Sequence, residues 1–325
     1  MRALLPLVAM LSLQAQTAAQ RFTLPNGLLV VLLEDHDRPL LRARLHLRLD
    51  AGEAPSALIL AALEGADAGR MKPDAFEQAL EGAGLRLHRT VEPGGLAWRL
   101  TARSRDQDRA LGLAADRVTR PVFPAGTPVE VRAWRARVLR PERAVLVLQG
   151  DLGLDQARRL ALLHLGTWTP ATTKELPAAV PEPQVAVATP TKAVATLPPD
   201  QAPEAPALLT LLLAEDPALA PVQLGLEGRE LVASLAPGTP PGTALADALE
   251  TQRRRTFTEA ELALARAAWK AGRARASLHP EARMDAALAE ALGQAISPAR
   301  LDALTPQALR EALGRWLEPG RVRFL

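Results

Sequence analysis

The chain has no cysteine and no tyrosine in 325 residues, and its only lysines are Lys72, Lys174, Lys192 and Lys270. Without thiols there is neither a disulfide framework nor a cysteine nucleophile, so stability must come from packing alone. With no Cys or Tyr to titrate, a formal net charge of only +3 persists to high pH, and the resulting pI of about 9.9 does not signal a nucleic-acid partner. The basic charge is almost all arginine, and its densest block, Arg253-Arg254-Arg255, is short enough to be a solvated helix end. Histidine is sparse as well. His36, His46, His88, His164 and His279 are spread along the chain, no two close enough to ligate a metal from one helix, and solvated or capping roles are expected for them. There is no Gly-x-Ser-x-Gly turn and no phosphate-binding loop; Gly225 with Gly228, and Gly238 with Gly242, read as turn glycines.

No stretch reaches the roughly 20 apolar residues of a membrane helix. The first 20 residues instead read as a secretory signal: Arg2 supplies the positive end, Ala3 to Leu13 the apolar run, and Thr17-Ala18-Ala19 small residues for cleavage after Ala19. The expected mature protein is periplasmic or secreted, without a membrane span.

With 48% hydrophobic and 23% charged residues, the chain can bury cores in two domains. The expected organisation is a signal over 1–19, an N-terminal domain over 20–169, a Pro-rich linker over 170–184 and a C-terminal domain over 185–325. In the first domain Leu28 to Leu33 and Leu41 to Leu49 read as strands. The second alternates Leu41, Ala43, Leu45, Leu47 and Leu49 against Arg42, Arg44, His46 and Arg48, predicting one buried and one wet face. Helices are predicted over Ser56 to Ala66, Pro73 to Ala83, Gln107 to Val118 and Leu154 to Leu165, and strands over Leu85 to His88, Leu96 to Ala102 and Arg143 to Leu148. In the second domain strands fall within Val185 to Leu197 and at Glu230 to Leu235. Helices fall at Ala205 to Ala214, Gly242 to Arg254, from Glu259, and after Thr305-Pro306. Thr258 and Glu261 have capping-box spacing. Element order hints at duplication without a residue-level repeat. Trp98, Trp134, Trp168, Trp269 and Trp316 read as packing residues rather than as a peptide-binding set.

Four segments recur in one familiar order: Leu24-Pro25-Asn26-Gly27-Leu28; Arg143 to Leu148 running into Gln149-Gly150-Asp151; Phe257-Thr258-Glu259-Ala260-Glu261-Leu262; and Leu304-Thr305-Pro306-Gln307-Ala308-Leu309 leading to Trp316-Leu317-Glu318-Pro319. On these the chain resembles the insulinase/pitrilysin family of zinc metallopeptidases, which includes the mitochondrial processing peptidases. The resemblance implies an α+β fold of two related α/β sandwich halves, each a mainly antiparallel sheet with helices packed on one face.

The family's catalytic device is a helix bearing His-x-x-Glu-His, completed by a later glutamate. The corresponding helix here lies within Ser56 to Glu64 and contains no histidine. Alkyl side chains have no lone pair for zinc. Glu64 reads as a relic of that surface or as a plain helix-end carboxylate. The segment from Phe123 to Arg143 reads as too short for the family's helical insert, and Glu215 to Gly228 as too short for the hairpin that carries its substrate-holding Arg and Tyr. Nor is there a glycine-rich loop like that of the non-catalytic processing subunit. No catalytic or metal-binding residue is carried over, no cofactor is expected, and substrate-binding residues are unassigned. The expected protein is an exported non-catalytic homologue that pairs with an active peptidase and helps to enclose peptides. The alternatives are a stand-alone envelope peptide-binding or scaffold protein and a hydrolase with an unfamiliar site.

Overall fold

The computed structural model describes residues 19–50, 53–92, 94–169, 192–196, 203–214, 222–227, 230–235, 245–318 and 321–324. The signal segment ahead of residue 19 and the linker over 170–184 lie outside the described residues, as do Gly228, Gly238 and Gly242. Six strands, β1 (Gln20–Thr23), β2 (Leu29–Glu34), β3 (Leu40–Arg48), β5 (Arg86–Glu92), β6 (Gly95–Arg103) and β8 (Ala144–Gly150), form one sheet in the order β1-β2-β8-β3-β6-β5. Every neighbouring pair is antiparallel except β2 with β8. The two-residue strands β4 (Asp67–Ala68) and β7 (Pro121–Val122) form a separate small ladder.

Helices α1 (Ala57–Gly65), α2 (Pro73–Gly82), α3 (Gln107–Thr119), α4 (Val129–Val138) and α5 (Leu154–Leu165) cover one face of this sheet. Leu41, Ala43, Leu45 and Leu47 of β3 and Leu96, Trp98, Leu100 and Ala102 of β6 point into that core, as strand alternation requires. The Asn26 turn is tied beneath it: its Nδ2 donates to the carbonyls of Leu165 (2.7 Å) and Trp168 (3.1 Å). Gly150, at φ +147°, lies so close to the Leu40 carbonyl that a Cβ there would overlap it, and the next residue, Asp151, meets His36 at 2.8 Å. The segment from Phe123 to Arg143 does carry a helix, α4. Its Trp134 Nε1 donates to the Glu53 carbonyl at 2.8 Å, and Arg143 and Arg137 pair with the Glu53 carboxylate, fixing the approach to α1.

The second sheet contains β9 (Lys192–Thr196), β10 (Val222–Glu227), β11 (Glu230–Leu235) and β12 (Val322–Phe324), all pairs antiparallel, in the order β10-β11-β9-β12. That order repeats β5-β6-β3-β8 of the first sheet, so the two halves are related in topology. Gly225 pairs with Val232 inside β10 instead of making a turn, and β10 pairs with β11 over its whole length. Helices α6 (Glu204–Ala214), α7 (Leu245–Arg253), α8 (Glu259–Ala276), α10 (Pro298–Ala303) and α11 (Pro306–Trp316) build the second core around Leu208, Leu209, Leu213, Leu262, Leu309 and Trp316.

One further helix, α9 (Pro280–Ala291), leaves this group and lies on the other face of the first sheet. Met284, Ala287 and Leu288 pack on Val31 and Leu33 of β2 and Val145 and Val147 of β8. The predicted wet face of β3 is therefore largely dry. Arg44 and His46, placed there as solvated residues, are only 6% and 4% exposed.

Candidate functional site

α1 occupies the place where the resemblance puts a metal-binding helix. Ser56 caps its start, accepting from the Ile59 amide at 3.4 Å. Ile59 and Leu63 anchor it in the core, while Ala57, Leu58 and Ala61 face solvent, with Leu58 44% exposed. A solvent-facing row of hydrocarbon offers no metal donor.

The end of α1 is held by two arginines. Arg89 of β5 donates to the Leu60 carbonyl at 3.0 Å and pairs with the Glu64 carboxylate at 2.9 Å. Arg117 of α3 donates to the carbonyls of Ala66 (2.7 Å) and Glu64 (2.6 Å) and lies over the Phe76 ring at 5.3 Å. These guanidiniums satisfy the unpaired carbonyls at a helix C-terminus and complement its partial negative charge. Burial lowers the Arg89 pKa below the usual guanidinium value. Glu64 is thus an ion-paired helix-end residue, and the positive charge gathered here is unfavourable to a divalent cation. Zinc does not fit these residues.

The second concentration of titratable groups lies beneath α9 and was not foreseen. Glu92 at the end of β5 accepts from Arg44, from Arg99 at 2.8 Å and from His46 Nδ1 at 3.2 Å, and Arg44 also bonds Asp285 of α9. Burial alone would raise the Glu92 pKa, but hydrogen bonds from His46, Arg44 and Arg99 hold it at about 2. Arg42 with Glu281, Arg283 with Asp35 and Arg21 with Glu290 add three ion pairs along the same helix. The cluster consists of spent charge pairs with a structural use.

The remaining histidines are scattered. His36 pairs with Asp151 and Glu34, and the Asp151 bond raises its pKa; His164 meets Asp108 at 2.8 Å; His88 and His279 are exposed, and the His279 side chain makes no cap bond to α9. Among the described residues no group of three or more His, Asp or Glu side chains is arranged to hold a metal ion. Trp98, Trp134, Trp168 and Trp316 are buried and Trp269 is partly buried against the second core, as packing roles require. No helix among the described residues is long and apolar enough to cross a membrane.

No family model and no curated protein matches the sequence. Solved structures match it in shape. The chain is similar to a protease from Helicobacter pylori, with TM-score 0.68 and 13% identity over 94% of this chain and 98% of that one. It is similar to an inactive domain of peptidase M16 from Pseudomonas fluorescens, with TM-score 0.65 and 16% identity over 94% and 96%. It also matches the first half of the periplasmic protease PqqL from Escherichia coli, with TM-score 0.61 and 11% identity over 94% and 91%. At such identities the likeness is one of architecture: the chain has the fold of the M16-like peptidases, the insulinase-type α+β arrangement that its motifs anticipated.

Proposed function

We propose that the protein is an exported, non-catalytic homologue of the insulinase/pitrilysin-type peptidases that pairs with an active peptidase subunit and helps to enclose peptide substrates. The observation that carries this reading is α1, which presents Ala57, Leu58 and Ala61 where the catalytic helix would present metal ligands, and whose end is occupied by Arg89 and Arg117. Likeness to an inactive M16 domain supports it. Beside α1 runs β5, an edge strand with one side unpaired among the described residues. An extended peptide can add to such an edge through main-chain hydrogen bonds while its apolar side chains rest on the α1 surface. Export is supported by the periplasmic kind of one structural neighbour. The domain division at the 170–184 linker belongs to the same proposal.

Purification from the native cell is the test. A homologous subunit carrying an intact His-x-x-Glu-His should come away with the protein, and the pair should cleave peptides in a chelator-sensitive way while this chain alone does not. Leu58→Asp should weaken peptide capture by the pair without dissociating it. Recovery without any peptidase, together with peptide binding by the isolated chain, would favour the stand-alone reading; stoichiometric metal with turnover by this chain alone would overturn both.

A further inference from the structure

Residue alternation gives the edge strand β5 two unlike sides. Its register sets Leu87, Arg89 and Val91 opposite Leu100, Trp98 and Leu96 of β6, which lie in the first core, so these three point to the α1 side of the sheet. Arg86, His88 and Thr90 point the other way, and all three are exposed. Arg86 stands opposite Thr101, which makes Arg99 and Arg103 of β6 its diagonal neighbours on that side. Diagonal neighbours are within reach of long side chains, and like charges so placed are unfavourable. Arg99 is answered by Glu92 at 2.8 Å, whereas neither Arg86 nor Arg103 has a carboxylate within ion-pair distance among the described residues. α9 does bring acidic groups to this side of the sheet. Its Glu281 and Asp285 are matched to Arg42 and Arg44 of β3, however, two strands in from the edge. The unanswered positive charge therefore collects beside the same strand whose main-chain groups are open to pairing.

We propose that the β5 edge selects extended peptides in which acidic and apolar residues alternate. This selectivity rests on the reading of β5 as a peptide-binding edge and specifies the kind of peptide. The side chains of an added strand fall alternately on the two sides of the sheet. On one side its carboxylates meet Arg86 and, at the end of β6, Arg103. On the other its apolar side chains meet Val91, 47% exposed, and the α1 surface around Leu58, 44% exposed. A basic peptide is repelled by the first side, and a uniformly acidic one sets half its carboxylates against hydrocarbon. A slip of one residue exchanges the two sets of side chains, so the pattern also fixes the register.

The edge belongs to this chain alone, so the full chain suffices for the test. The probes are fluorescent eight-residue peptides with blocked ends: alternating Glu and Val, alternating Lys and Val, and four Glu followed by four Val, which has the charge and composition of the first without its pattern. Fluorescence anisotropy at low salt should show the alternating Glu and Val peptide binding about fivefold more tightly than either of the others, an advantage that shrinks as salt is added. Arg86→Glu, at an exposed position, should leave the circular dichroism spectrum unchanged and move the preference to the Lys and Val peptide. Hydrogen exchange should show added protection over Arg86 to Glu92 when peptide is bound. Equal binding of the three peptides with protection at β5, or a preference unmoved by Arg86→Glu, would overturn the selectivity and leave the peptide-binding edge standing. Failure of all three to bind, or protection confined to other strands, would overturn the edge and the selectivity together.

Discussion

Arg44, on a central strand of the first sheet, reaches across 241 positions of sequence to the carboxylate of Asp285 on α9. The same guanidinium bonds Glu92, so it joins the β5 end of the sheet to a helix from the other half of the chain.

The two bonds should differ in weight. Arg44 and Glu92 are both nearly buried, whereas the Asp285 side chain is 57% exposed. Arg44→Met is expected to cost about 3 kcal/mol, because it leaves a buried carboxylate short of a partner. Asp285→Asn should cost about 0.5 kcal/mol. Urea midpoints at constant slope measure both, and equal losses would contradict the burial argument.

Acid should act through Glu92. Its folded pKa of about 2 lies below the unfolded value, so its contribution is complete above about pH 4.5 and is lost as the pH falls towards 2. The shift corresponds to roughly 3 kcal/mol at neutral pH. Glu92→Gln should be less stable than the parent at pH 7 and should show a flatter decline through the acid range. A parallel decline in the two proteins would place the acid sensitivity elsewhere.

Gly95→Ala should be costly although its backbone permits alanine. A methyl group at this position would overlap the His46 ring, which is held against Glu92 in the buried cluster. A loss of about 1–3 kcal/mol is expected. His46→Ala in the same chain should make Gly95→Ala nearly neutral, and a double-mutant cycle reads the coupling.

Thr258→Ala tests the capping box of α8. Its Oγ accepts from the Glu261 amide at 3.2 Å while the Glu261 carboxylate accepts from the Thr258 amide at 2.8 Å. Removing the hydroxyl should lower stability by about 1 kcal/mol, seen as a lower urea midpoint.

Local signals made much of the fold legible. Leu154 to Leu165 and Glu230 to Leu235 have the bounds their periodicity predicts, and the Thr258 and Thr305 caps mark real helix starts. α9 escaped notice because its apolar positions, Met284, Ala287 and Leu288, are few and small and make no broad stripe. Its cover could have been inferred from the strands it lies on. β2 and β8 are apolar at both parities, Val30 and Leu32 against Val31 and Leu33, and Leu146 and Leu148 against Val145 and Val147, so both their faces had to be dry. The Arg42 and Arg44 side of β3 looked wet because charge was read as exposure; here Arg44 is buried and Arg42 half-buried, each with a carboxylate brought from a distant position. Sequence spacing gives no warning of such pairs. At α1 the absence of imidazoles was plain in the residues, whereas the Arg89 and Arg117 props depend on strand register and helix packing.

The crossing of α9 bears on how the polypeptide is assembled in time. Val31, Leu33, Val145 and Val147 are among the earlier residues to emerge in synthesis, yet the residues that shield them arrive only with Met284 to Leu288. Until then a greasy sheet face stays uncovered and prone to stick to other chains. A fragment ending at residue 169 would lack α9 and keep that face without its cover.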